Sequence, residues 1–158
     1  TTMGVVRGKD FKLYRNTDDP YDSSPTWALV PNVKDLSRNL EKELADASIR
    51  GSSYKLQVTT QKNFSADFQM VYDSEDTDVQ AFEDAFHDDG TVEVLFLDGP
   101  ITTIGSKGLR IQGEIGKFTI NENLADVGTV DVSIVPGYTP LNLPRRVVVA
   151  SPGSVVNA

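Results

Sequence analysis

The sequence predicts a mainly β domain, a β-sandwich or partly open barrel with one flanking α-helix. Three observations carry this. Residues 64–72, 109–115 and 130–134 alternate apolar and polar side chains, the period of strands buried on one side. Only around 79–86 does the apolar spacing change to that of a helix. Two strand-like runs, 33–40 and 54–60, flank the polar stretch EKELADASIRGSS at 41–53. That stretch offers little to bury and exceeds the roughly two to five residues a hairpin loop needs. It reads as a loop that a partner shapes.

Taken in order, residues 11–14 form a short strand and 15–25, rich in Asp, Ser and Pro, a loop. A strand over 27–30 is cut by Pro31. The arms 33–40 and 54–60 follow, then 64–72, where Phe64, Ala66, Phe68, Met70 and Tyr72 share one face and Ser65, Asp67 and Gln69 the other. In the helix, Val79, Phe82 and Phe86 form an apolar stripe, and Phe68, Phe82 and Phe86 are expected to be buried where it meets the sheet. Ser74 or Thr77 can cap its start and Gly90 ends it, while Asp88 and Asp89 sit at the unfavourable end of the helix dipole. Residues 92–97 are apolar on both parities, as in a strand covered on both faces. After a turn at 98–100, Leu109, Ile111 and Ile115 share a face, but Phe118 and Ile120 fall on the opposite parity. A bulge at Gly116 or Lys117 would reconcile the two sets. Residues 1–138 thus form one domain. The Pro-interrupted remainder, 139–158, reads as an arm that does not fold on itself and docks elsewhere through Arg145, Arg146, Val147 and Val149.

Composition narrows the function. The chain has 158 residues, enough for one domain with a core, and a formal net charge of −8, which repels nucleic-acid phosphate. No stretch reads as a membrane span or secretory leader. Cysteine is absent, so disulfides and thiolate metal sites are excluded. His87 is the only histidine and has no evident partners for a triad or a metal. Asp73, Glu75, Asp76 and Asp78 have the spacing of a calcium loop without its glycine and terminal glutamate, and charge at a helix start explains them better. IGSKG at 104–108 lacks phosphate-loop spacing. No catalytic residue, metal or cofactor is expected. Tyr14, Tyr21 and Trp27 could form a sugar-binding platform, although Trp in a strand more often belongs to a core.

The polar strand faces hold Gln57, Thr59, Asp67, Gln69, Gln112, Glu114, Asp131 and Ser133. They read either as ordinary solvated sheet or as the wall of an aqueous channel built by several subunits.

GKDFKLYRN, then TWALVPNVKDLSRNLEKELADASIRGS, FSADFQMVYD, VQAFEDAFHDDG, VEVLFLDG, GSKGLRIQGEIGKFTINENL and GTVDVSIVPGY occur in that order. This series resembles, over about 9–138, the tail tube (major tail) proteins of long non-contractile-tailed phages. The resemblance implies a virion protein, made in the host cytoplasm, that self-assembles into six-membered rings stacked into a hollow tube. Its loop residues Glu41, Lys42, Glu43, Leu44, Ala45, Asp46, Ala47, Ser48, Ile49 and Arg50 would contact the adjacent ring, and the polar strand residues would line the lumen. Implied partners are a tape-measure protein in the lumen, tail terminator and tail-tip proteins, and genomic DNA in transit without specific binding. A basic wall would hold that DNA, so an acidic polar lumen suits passage. A type VI secretion tube protein would share the architecture, and a monomeric carbohydrate-binding β-sandwich is the alternative of a different class.

Overall fold

A computed structural model describes residues 7–18, 25–122, 124–125, 127–137 and 144–158. Among the described residues the strands are β1 (Lys12–Asn16), β2 (Trp27–Leu29), β3 (Val33–Asp46), β4 (Gln57–Val71), β5 (Thr91–Leu97), β6 (Lys107–Asn121), β7 (Thr129–Pro136), β8 (Arg145–Ser151) and β9 (Ser154–Asn157), with one α-helix, α1 (Thr77–His87), between β4 and β5 and a short 3-10 turn at Gly8–Asp10. All strand pairs are antiparallel, in the order β2-β1-β5-β6-β7-β4-β3, and β8 pairs with the first part of β6 and with β9. The sheet curls into a half-barrel. Phe64 on β4 lies 6.1 Å from Phe96 on β5, although β6 and β7 separate those strands in the sheet. Arg38 of β3 places its guanidinium 5.6 Å from the same ring. Burial of that guanidinium lowers its pKa, and the charge of Asp98 opposes the shift.

The concave interior holds the main core, with Phe68, Met70, Val94, Ile111, Val132 and Ile134 all buried. Helix α1 closes it through Val79 and Phe82, which are also buried. Phe86 is instead 39% exposed, because it lies at the last turn and meets the exposed His87 and the partly covered Phe118 at the sheet margin. The N-cap is Asp76, not Ser74 or Thr77: its carboxylate accepts from the Asp78 amide at 2.8 Å and from Asn32 Nδ2 at 2.6 Å. At the other end Asp89, at φ 54°, takes the left-handed position for which Gly90 was expected, and the Gly90 amide donates to the Ala85 carbonyl.

Strand β5 is covered on both faces, as its sequence implies. Val92, Val94 and Phe96 face the main core. Leu95 and Leu97 face a second cluster with Tyr14, Ile101, Val147 and Val149. For its described part, this corrects the expectation that the C-terminal arm does not fold on itself, while residues 139–143 lie outside the described residues. Residues 145–157 fold back as the β8–β9 hairpin, because Val147 and Val149 find an apolar partner in their own chain. Gly108 sits between Leu97 and Val147 in the ladder, where a side-chain carbon would fall inside contact distance of the Phe96 carbonyl and 2.9 Å from Leu97 Cδ2. Gly108→Ala is therefore expected to cost about 1–3 kcal/mol or more, read as a lowered urea midpoint. An unchanged midpoint would show that this crossing is not tight.

The polar stretch is also corrected. Residues 41–46 continue β3 and pair with 57–63, while 54–56 are not strand, and what read as two strands at 54–60 and 64–72 is the single β4. The connecting loop is 47–56. Glu41, Lys42 and Glu43 pair opposite Asn63, Lys62 and Gln61, and most side chains of the ribbon are exposed. Backbone hydrogen bonds hold it, so it carries no alternating pattern from which a strand could be read. The bulge expected near Gly116 is present, between Ile115 and Lys117.

Candidate assembly surfaces

Three surfaces are built on this frame. The first is the β3–β4 ribbon. Strand β4 pairs with β7 only over residues 66–71 and is exposed from 57 to 63, so residues 57–63 and their β3 partners overhang the sheet. Leu40, Leu44, Ile49, Tyr54, Leu56 and Val58 are all exposed along it. From the sequence alone this segment has little to bury, because no period links its apolar residues. Asp46 braces the loop by accepting from the Ser48 amide at 2.8 Å, and bonds to Ser48 lower its carboxyl pKa.

The second surface is the polar face of β3, β4, β7 and the second half of β6. Asp67 pairs with Ser133, which pairs with Lys117, and Gln69 pairs with Asp131, which pairs with Thr119. Asp131 accepts from Asn121 Nδ2 at 3.0 Å and from Gln69 Nε2 at 3.1 Å. The Asn121 bond is the main reason its carboxyl lies below the ordinary carboxylate range, with Gln69 and the Lys117 charge acting in the same direction. Asp67, Gln69, Asp131 and Ser133 are thus brought together, and Glu114, opposite Val135, shares their face. Gln112 lies further along and is buried, with Nε2 donating to Thr91 Oγ1 at 2.9 Å. Gln57 and Thr59 do not join them. A register shift at Thr60 leaves them opposite Asp46 and Leu44, on the face that continues from Leu36 and Leu40.

The third surface is the C-terminal hairpin. Val147 and Val149 are buried within the chain, while Arg145 and Arg146 are exposed at the start of β8.

Two buried ion pairs were not read from the sequence. Arg15 Nε lies 2.7 Å from Asp78 Oδ1 and ties α1 to β1. Glu93, 2% exposed, pairs with Arg110, whose guanidinium sits 5.2 Å above the Trp27 ring. Nothing in the linear spacing links these residues, since the sheet order alone brings them together. Tyr14 is buried and its hydroxyl accepts from the Ile101 amide at 3.0 Å, while Trp27 packs on the second cluster. The aromatic platform that a carbohydrate site would use is spent on packing, and Tyr21 lies outside the described residues. His87 is exposed at the helix end against the Phe86 ring. Among the described residues no group of three or more His, Cys, Asp or Glu side chains could hold a metal.

No family model matches the chain, and no curated protein matches it by sequence. Solved structures do match. The SPP1 tail tube aligns with a TM-score of 0.68 at 14% identity, covering 89% of this chain and 78% of that one. The chain has the tail tube fold. A tail of an empty gene transfer agent (GTA) particle, refined with C6 symmetry, aligns at 0.66 and 13% identity over 98% of this chain and 99% of the other. The virion of a native GTA particle gives 0.64 at 13% identity over 85% and 96%. The match to the GTA tail spans 98% of this chain.

Proposed function

We propose that this chain is the structural subunit of a virion tail tube, forming six-membered rings that stack into a hollow conduit for the genome. The observation that carries the reading is the overhanging β3–β4 ribbon. A two-stranded ribbon with exposed Leu, Ile, Tyr and Val side chains has no use for them in a lone subunit. Fold neighbours that include the SPP1 tail tube and a GTA tail refined with C6 symmetry support an assembly role for such a ribbon. Among the described residues the outer edge of β3 has no strand partner, and joining edges between subunits would satisfy it.

In this reading the ribbon, residues 41–50 included, contacts the adjacent ring. The polar face around Asp67, Gln69, Glu114, Asp131 and Ser133 lines the lumen. Its acidic character lets DNA and a tape-measure protein pass without being held. Arg145 and Arg146 meet acidic surface on a neighbouring subunit. Terminator and tip proteins close the two ends of the tube. The work is mechanical, and no catalytic group takes part.

The test is to replace 47–56 by an Asn-Gly turn, which closes the ladder directly at the Asp46–Gln57 pair. Little apolar area is lost from the core, so the melting temperature should stay within a few degrees of the parent. Tubes seen by negative stain should disappear. Normal tubes from this variant would refute a role for the ribbon in stacking.

A further inference from the structure

We propose that the 47–56 tip of one copy docks on the opposite end of a second copy, against the apolar patch formed by Tyr72, Phe86, Phe118, Ile120 and Val127. This rests on the stacking reading above and adds the receiving surface to it.

Position is the first argument. Val71 pairs with Thr129, which pairs with Asn121, so these residues mark one end of the β4–β7–β6 sheet. The ribbon leaves from the other end of β4. Tip and patch therefore lie at opposite ends of the same strand, as head-to-tail stacking requires.

Burial is the second. Phe118 and Ile120 lie on the core side of β6, but α1 reaches only as far as Phe118, through the Phe86 ring at 6.4 Å. Phe86, Ile120, Tyr72 and Val127 remain exposed. The tip brings Ile49, Tyr54 and Leu56, which are exposed too. Each apolar patch lacks what the other supplies.

Charge decides the pairing. The tip carries Arg50 and Lys55 and no acidic residue. The receiving end carries exposed Asp73, Glu75 and Glu122. A tip-to-tip contact would oppose Arg50 and Lys55 to themselves, and an end-to-end contact would oppose carboxylates. Only the head-to-tail contact joins unlike charges. Such a contact is heterologous and need not close, so it propagates along an axis.

The chain has no cysteine, so a single pair can be introduced cleanly. Tubes of the full chain carrying Arg50→Cys and Glu122→Cys, treated with a short bifunctional thiol reagent, should give a ladder of multimers on a denaturing gel. Either single variant should give monomer. Because those changes remove two charges, a charge exchange serves as the second measurement. Arg50→Glu with Lys55→Glu should raise the concentration needed for assembly roughly tenfold or more at low salt. Adding Asp73→Lys and Glu122→Lys should restore assembly. Tubes without a ladder, dimers from Arg50→Cys alone, or no restoration by the charge exchange would overturn the docking while leaving stacking intact. If the unaltered chain forms neither rings nor tubes, the stacking reading fails and the docking with it.

Discussion

Phe82→Ala should destabilise the subunit by about 3–5 kcal/mol and lower its melting temperature by roughly ten degrees for a chain of this size. Phe82 is fully buried and sits edge-on to Phe68 at 5.5 Å. With Phe86 turned to the sheet margin, Val79 and Phe82 are the fully buried apolar anchors of α1. Truncating one of them leaves a cavity that the curled sheet cannot collapse to fill. Phe86→Ala provides the contrast, since its ring is already partly in water and should cost far less. Equal losses for the two variants in urea unfolding would mean that the helix does not pack as described.

Glu93→Ala should cost a similar amount, about 3–5 kcal/mol. The Glu93 side chain is fully buried, and its removal takes the carboxylate partner from the largely buried Arg110 guanidinium that lies over the Trp27 ring. The attraction within the pair roughly offsets its desolvation, so the damage lies in breaking the pair, not in losing it. Combining Glu93→Leu with Arg110→Met should recover most of the lost stability. A double variant no more stable than Glu93→Ala would show that the loss comes from packing around Glu93.

Much of the fold was legible because its core strands obey a period. Phe64, Ala66, Phe68 and Met70, and likewise Val130, Val132 and Ile134, announce a buried face by alternation alone. The parity change between Ile115 and Phe118 could be read as a bulge for the same reason. What escaped reading lacks a burial signal. Residues 41–46 are strand because their amides pair with 57–63, which no side-chain pattern records. The bulge at Thr60 was equally silent, and it separates Gln57 and Thr59 from the other polar-face residues. Val147 and Val149 were visible as an apolar strip, but only the sheet order places Leu95 and Leu97 beneath them. The candidate surfaces follow the same rule. Asp67, Gln69, Asp131 and Ser133 alternate along their strands and so share a face, whereas the exposed apolar residues from Tyr72 to Val127 come from four separate segments.

The overhanging ribbon has a kinetic consequence. Two strands without a third, or a helix, to lean on have little stability of their own in water. The ribbon therefore belongs to the first part of the subunit to open locally, long before the core around Val94 and Ile111 is disturbed. In the stacking proposed above, a free subunit would have to surrender that freedom before joining another, and two free subunits would have to surrender it together. An incoming subunit meeting an existing end would find a template already ordered. A subunit built this way would start a polymer slowly and extend one quickly, which would keep the dissolved pool from polymerising before a seed exists.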